Sequence, residues 1–480
     1  MSAVDQCCQI LSAVRAGKAT AQSLDELRAF RLNAVFRSEL GTSAEVWRAI
    51  VRALETVTHR AEEKVAIELL LLSRNLLACG AAAQLLASTE QLQKAVYDLL
   101  FDLEYYKSTP RDTVSTPCLQ VLVNLCARSE VQKSFVWTSL MRIDLTDDHF
   151  GQCLRYMSPD SYVPLLVLIG GCVNVYAQLA AEMFTYKKGR VVFRFIMLLS
   201  DDWYEHEDSE VFGLICSLGT GVLGHGLLQQ AYDIEPEQDD DIARYHLVLV
   251  KFVDVYVFRS DDAIEPEVLR SYAEFLVERF LLRVCFPQSS RIMQERLADE
   301  RVERISTCNL LVMELLANLA GSDEATLGYL QESALVEELI RLLAEADRLV
   351  PKHTLKNAAS HSEAKPYEFP LLKQHIVRLL SLVTEGSRAL QDRVRACGGL
   401  AVVLSQCNID DNNPYIREFA ILCVRNLLAG NAANQDFVAR LEAKQAVQSS
   451  VLEEAGYETE IVDGRVAVKR IAPSSPLEEL

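Results

Sequence analysis

Glycine and proline are scarce: 20 and 13 among 480 residues, well under the roughly 12% combined share of an average chain. So few turn formers exclude a collagenous or low-complexity chain and predict long regular elements, which points to helices. Basic residues are in deficit. The 48 Lys and Arg face 67 Asp and Glu, a formal net charge of −19, and that excess excludes a broad phosphate-neutralising face. No nucleic-acid partner is expected. Paired cysteine motifs are missing as well. The 13 cysteines are odd in number and scattered, no C-x-x-C pair occurs, and only Cys7 and Cys8 are adjacent. Most sit in apolar runs, where cysteine acts as a small core residue, which predicts reduced thiols in a cytosolic protein rather than a disulfide framework. There is no N-x-S/T sequon, and Met1 to Leu11 contains Asp5 and no basic n-region, so no signal peptide is expected. H-E-x-x-H, G-x-S-x-G and Walker A strings are absent, and no catalytic residue, metal ligand or cofactor is predicted.

What is present is apolar. Hydrophobic residues make up 50% and charged residues 24%, the balance of a folded soluble chain with a large core. The length allows about three domains or one elongated repeat array. Two uncharged windows, Ser161 to Ala181 and Val211 to Tyr232, are long enough for a ~30 Å hydrocarbon core. They are interrupted by Pro164, Asn174 and several glycines, and the loop between them carries both signs, so buried helices of an array explain them better than membrane spans.

A repeat runs through the chain. An apolar stretch ending near an asparagine recurs at Leu71 to Leu76, Leu119 to Leu125, Leu311 to Leu319 and Leu422 to Leu427, with Asn75, Asn124, Asn318 and Asn426 at equivalent places. Cys172 to Val175, with Asn174, is a weaker copy, and Leu379 to Leu382 carries Ser381 instead. Asn75 and Asn124 are 49 residues apart, Asn124 and Asn174 50, Asn318 and Ser381 63, and Ser381 and Asn426 45. These bracket the period of about 40–47 residues of HEAT and armadillo arrays. Between Asn174 and Asn318 there is room for two further units whose register the pattern does not give.

The last unit reads as three helices: Leu371 to Thr384 precedes it, then Ser387 to Ala396, Gly399 to Gln406 and a long final helix. In that helix Ile416, Phe419, Ala420, Cys423, Val424, Leu427 and Leu428 form an apolar stripe. Asn413 is the expected N-cap, with Pro414 in the first helical position. The fold expected is all-α, an armadillo-like α-solenoid with a small C-terminal β-hairpin. The hairpin is read from Tyr457 to Val462 and Arg465 to Arg470 around Asp463-Gly464, and is expected to cap the array. The organisation expected is helical repeats over 1–349, an exposed polar linker or loop over 350–370, C-terminal repeats over 371–448, and a helix end, hairpin (457–470) and tail over 449–480.

The string Gln391-Asp392-Arg393-Val394-Arg395, the turn Asp410-Asp411-Asn412-Asn413-Pro414, the trio Arg425-Asn426-Leu427, and Asn431, Asn434-Gln435 and Gly456-Tyr457-Glu458 together resemble the C-terminal domain of the ataxin-10 family. The likeness is strong over about residues 370 to 470 and is one of pattern and length before that. Phe419 stands where the family pattern would place tryptophan, and Ser381 where it would place asparagine. The resemblance implies a non-enzymatic, armadillo-like cytoplasmic adaptor, with perinuclear and midbody locations. It also implies roles in neuron survival, neurite outgrowth, Ras–MAP kinase signalling and cytokinesis. G-protein β subunit and O-GlcNAc transferase are its implied partners; apart from the resemblance, a second copy of the chain is a further candidate partner.

In such arrays the third helix lines a groove, where asparagine amides can bond the backbone of an extended peptide. Asn75, Asn124, Asn318 and Asn426 are candidates, with Arg74, Arg378 and Arg425 to read acidic side chains. The alternative is that the amides serve backbone groups between helices. Gly219 to Gly224 spells G-x-G-x-x-G after an apolar run, and makes a nucleotide-dependent enzyme the second reading of function. The acidic ribose partner and the βαβ context are missing, and a turn or broken helix within the array explains the glycines better. A membrane-anchored helical protein is the third reading. Glu205 to Asp208 and Asp410 to Asn413 fail as metal loops: adjacent residues cannot converge on one ion, and the second run lacks the calcium loop's glycine. Ser475-Pro476 is a candidate phosphorylation site.

Overall fold

The computed structural model describes residues 2–57, 59–109, 112–203, 206, 209–234, 243–259, 264–350, 352–353, 365–441, 457–462 and 465–470. The described residues are helical apart from one two-stranded antiparallel sheet, β1 (Tyr457–Val462) and β2 (Arg465–Arg470), paired from Tyr457 opposite Arg470 to Val462 opposite Arg465. The chain is an all-α solenoid with a C-terminal hairpin. The Asp463-Gly464 turn, the Glu205, Glu207 and Asp208 positions, 449–456 and the Ser475-Pro476 tail lie outside the described residues.

Side chains start the helices where the pattern asks for them. Ser2, Thr20, Asn33, Ser43, Ser129, Thr146, Ser209, Asp323 and Asn431 each accept a bond from a first-turn N–H, satisfying donors that no helix can satisfy internally. Three-helix units follow one another: Ala81–Thr89, Leu92–Leu100 and Ser115–Cys126; Glu130–Met141, Asp147–Tyr156 and Tyr162–Val173; Ala177–Thr185, Lys187–Trp203 and Glu210–Gly224. The arrangement recurs as Glu324–Glu332, Leu335–Leu349 and Leu372–Thr384, then Arg388–Ala396, Gly399–Ser405 and Ile416–Leu428. Third helices pack on third helices. Ala21–Leu32, His59–Leu77, Ser115–Cys126, Tyr162–Val173 and Glu210–Gly224 form one such row, and Glu300–Ser322, Leu372–Thr384 and Ile416–Leu428 another. A single unit cannot bury its apolar face alone; stacking does it.

The chain divides into two compact units, Met1–Phe275 and Leu276–Leu480. The 350–370 segment connects the second helix of one three-helix unit, Leu335–Leu349, to its third, Leu372–Thr384. It reads as too polar to pack, yet its described ends are held inside: Val350, Glu368 and Phe369 are buried. Asp411 N donates to His353 O at 2.8 Å and Leu371 N to Asn412 O at 2.9 Å.

The final third helix begins at Ile416, not at Pro414, and Asn413 does not cap it. Asn413 is wholly buried, accepts from Gln374 N at 3.2 Å and donates to Asp410 Oδ2 at 3.0 Å. A buried amide with partners on a neighbouring helix gains more there than from an exposed first turn. Of the expected stripe, Ile416, Ala420, Cys423 and Leu427 are buried, and Phe419, Val424 and Leu428 half-buried.

Neither uncharged window is a straight span. The first breaks between Pro159–Val173 and Ala177–Thr185 with a bend of 113°. Glu300–Ser322 alone is long and apolar enough to cross a membrane among the described residues, and 56% of its apolar window is buried in the protein. The 13 cysteines are free thiols, eight of them buried. Burial pushes the thiols of Cys7 and Cys153 up to about 12, which makes them inert core residues.

Candidate functional site

The asparagines that mark the repeat stand near the C-termini of the third helices, where the last carbonyls have no partner in their own helix. Asn75 Nδ2 donates to Arg31 O at 3.1 Å, Asn124 Nδ2 to Arg74 O at 2.9 Å, and Asn426 Nδ2 to Ser381 O at 3.0 Å. Arg31, Arg74 and Ser381 each lie in the last turn of the preceding third helix. Each amide therefore caps its neighbour and sets the spacing of the row. From the other side, Gln84 and Gln391, each the fourth residue of a first helix, donate to Asn124 O at 2.7 Å and Asn426 O at 2.9 Å.

Two rungs depart from this pattern. Ser381 offers Asn426 its carbonyl and also its Oγ, at 3.2 Å, but sends no amide back to the Glu300–Ser322 helix. Arg378 makes that link instead, donating Nη2 to Asn318 Oδ1 at 3.1 Å, with Glu314 3.7 Å from its Nη1. Asn174 bonds forward, to Ser217 Oγ at 3.0 Å, and its buried Oδ1 has no partner.

Two ladder residues are invisible to an asparagine search. His225 Nε2 lies 3.0 Å from Val173 O, and the Tyr272 hydroxyl donates to Leu223 O. His225 is 51 residues after Asn174 and Tyr272 a further 47, so the repeat spacing was the available signal. Any donor of the right reach serves a carbonyl, and residue type is free to vary.

The candidate arginines have different surroundings. Arg74 is half-buried, donates Nη1 to Gln120 Oε1 at 2.6 Å and Nε to Asn75 Oδ1 at 3.1 Å. Burial, and then the nearby Arg31 charge, pull it below its ordinary value. Arg378 is half-buried against Asn318 and Glu314, and next to it burial holds His375 below its usual value. Arg425 is exposed and unpaired among the described residues. Arg74, Asn75 and Asn124 form one cluster in Met1–Phe275; within Leu276–Leu480, Asn318 meets Arg378, and Asn426 meets Ser381 rather than an arginine.

The G-x-G-x-x-G run lies inside the continuous helix Glu210–Gly224, with no loop to present backbone N–H groups to a phosphate. The nucleotide-enzyme reading falls with that geometry. The glycines permit close packing: a Cβ on Gly219 would stand 2.5 Å from Phe252 Cδ1, and one on Gly221 would strike Asn174 Oδ1. Gly219→Val is expected to destabilise the protein by about 1–3 kcal/mol through overpacking. The check is a lowered thermal midpoint together with flat NAD and FAD calorimetry for both variant and parent. Saturable binding by the parent would restore the nucleotide reading. No metal-binding group of three or more His, Cys, Asp or Glu occurs among the described residues.

Fold and ladder define a helical-repeat protein of three-helix units tied at their helix ends by side-chain amides. Residues 372–469 match the family described as Spinocerebellar ataxia type 10 protein domain. An "Ataxin-10 homolog" of Debaryomyces hansenii is 41% identical over 170 residues, 35% of this chain and 35% of its own length. Another, of Candida albicans, is 50% identical over 99 residues, 21% of each chain. "Ataxin-10" of Pongo abelii is 26% identical over 395 residues, 81% of this chain and 75% of its own. The chain thus spans about a third or less of the length of these fungal relatives, and its likeness to ataxin-10 proteins is strongest over the C-terminal residues 372–469. Neither that family nor the helical solenoid is a known class of enzyme.

Proposed function

We propose that this chain is a non-enzymatic adaptor of the ataxin-10 type, binding protein partners on the face of its third helices. The observation that carries the proposal is the solvent side of Ile416–Leu428, where Ile421 and Leu422 are 53% and 41% exposed beside the unpaired Arg425. An exposed apolar pair with a free guanidinium suits an acidic, partly apolar partner segment. The binding groups are then the arginines, Arg425 above all with Arg74 and Arg378 at the half-buried rungs. Asn75, Asn124, Asn318 and Asn426 contribute by holding the helices in register. G-protein β subunit, O-GlcNAc transferase and a second copy of the chain are the partners this reading names. The setting is cytoplasmic, with perinuclear and midbody pools, in Ras–MAP kinase signalling for neuron survival and neurite outgrowth and in cytokinesis. The −19 net charge favours protein over nucleic acid as partner.

Calorimetry of the purified chain with G-protein β subunit tests it. Arg425→Glu is expected to weaken binding at least about tenfold, the scale of one lost charge-assisted contact, without changing the melting midpoint. An unchanged affinity for this partner and for O-GlcNAc transferase would remove the surface from consideration.

A further inference from the structure

The C-terminal hairpin carries an open strand edge. A ribbon of two strands is marginal in water, and a third strand stabilises it. Among the described residues β2 pairs with β1 and with no other strand. Two residues lie between Val462 and Arg465, so that pair closes the ladder, and the bonds between strands then fall at every second residue. The N–H and C=O groups of Val466, Val468 and Arg470 therefore point away from β1, a row of donors and acceptors that another strand can use. Val466 and Val468 are 52% and 57% exposed.

Edges of this kind are ordinarily blunted by proline, a bulge or charge. β2 contains no proline, its register with β1 runs unbroken from Arg465 to Arg470, and its centre is Val466-Ala467-Val468. Its charges are of one sign. Arg465, Lys469 and Arg470 flank that centre with no acid among them, while β1 holds Glu458 and Glu460. Lys469 reaches Glu460 at 3.6 Å with 60% of its side chain exposed, a surface contact that leaves it able to meet a second carboxylate. Arg470 is exposed and makes no ion pair among the described residues. Cations beside an apolar centre turn away a second β2, whose own cations would meet them, and favour a strand that brings acids to the Lys469 end.

We propose that β2 receives an acidic, extended segment of a partner protein as a third, antiparallel strand, with β-branched side chains beside Val466 and Val468 and carboxylates beside Lys469 and Arg470. Backbone bonds to the open edge supply the affinity, and the alternating side chains supply the selection. The surface on Ile416–Leu428 takes no part, so this inference stands or falls separately from the adaptor reading.

Fluorescence anisotropy of the purified full chain with a fluorescein-labelled Glu-Glu-Val-Thr-Val amide tests the proposal. Laid antiparallel, its glutamates fall opposite Arg470 and Lys469 and its valines opposite Val468 and Val466. It is expected to bind saturably, and Lys-Lys-Val-Thr-Val amide about tenfold more weakly or worse. N-methylation of both valines, whose N–H groups face β2, should abolish binding, and N-methylation of the threonine, whose N–H faces away, should leave it unchanged. Those peptides leave the protein untouched, so this comparison does not depend on a variant's fold. Val468→Pro removes an outward N–H without taking a bond from β1 and should also abolish binding. If the proline opens the hairpin, the exposed Arg470→Glu decides, with an expected loss of about tenfold. Arg425→Glu should leave the affinity unchanged, which separates this edge from the Ile416–Leu428 surface. No saturation at millimolar peptide, equal binding of the lysine peptide, equal effects of the two N-methylated peptides, indifference to Arg470→Glu, or loss of binding on Arg425→Glu overturns the proposal.

Discussion

Replacing Asp410 with alanine is expected to destabilise the Leu276–Leu480 unit by about 3–5 kcal/mol, the cost of leaving a buried charge without its partner. Lys373 and Asp410 are each 2% exposed, and Nζ lies 2.6 Å from Oδ2. That approach is off the line of a good hydrogen bond, since Nζ has no properly aligned acceptor, so the pair is held by charge rather than by a directed bond. Asp410 does more than balance the ammonium. Its Oδ1 accepts from His353 N and Asn412 N, both at 3.2 Å, and its Oδ2 from Asn413 Nδ2 at 3.0 Å. One carboxylate thereby fastens the Asn408 to Pro414 turn, the described end of the 350–370 segment and the Leu372–Thr384 helix together. Urea denaturation followed by circular dichroism reads the loss. A double variant, Lys373→Met with Asp410→Leu, should recover only the share due to the unpaired ammonium, since His353 N, Asn412 N and Asn413 Nδ2 still lose their acceptor. A single-variant loss under about 1 kcal/mol would show that water reaches the site.

Asn434→Ala is the second large effect, expected at about 2–4 kcal/mol from two buried carbonyls losing their donor. Asn434 is wholly buried; its Nδ2 donates to Leu427 O at 2.8 Å and Gln391 O at 3.2 Å, and its Oδ1 accepts from Arg395. Beside it Asn431 Nδ2 donates to Gln391 Oε1 at 3.2 Å and Asp392 Oδ1 at 3.1 Å, while Asn431 Oδ1 takes Asn434 N at 3.0 Å. The Asp392 carboxyl is held below its ordinary value, first by the Asn431 bond and then by Arg395. This network explains why the Gln391-Asp392 pair and the Asn431, Asn434 pair occur together: they close the end of the last third helix against its first helix. A double-mutant cycle between Asn434→Ala and Arg395→Ala, whose side chains meet directly, should show a coupling above about 0.5 kcal/mol. Strict additivity would mean the residues act separately.

Much of the fold was legible because helices announce themselves through spacing. The stripe from Ile416 to Leu427 and the alternation of Tyr457 to Val462 each report a buried or pairing face within a few residues of chain, and local geometry is enough to read them. The ladder was legible in its asparagines, since a polar residue recurring at one place in an apolar repeat needs a recurring partner. His225 and Tyr272 escaped because the partner requires only a donor, and Asn413 was misassigned because its rivals for the N-cap lie on another helix.

Composition, apolar period and turn residues by themselves determined an all-α repeat chain with a terminal hairpin, and the C-terminal string carried the resemblance to ataxin-10 proteins. Tertiary structure alone decided what the marked side chains do. It turned the asparagine amides onto neighbouring helix ends, set Gly219 against Phe252 and Gly221 against Asn174, and paired Lys373 with Asp410. The reason is distance along the chain. Asn124 and Arg74 are 50 residues apart, and Asn426 and Ser381 45, so a period can say that a residue is inside but only the stacking of units says what it meets there.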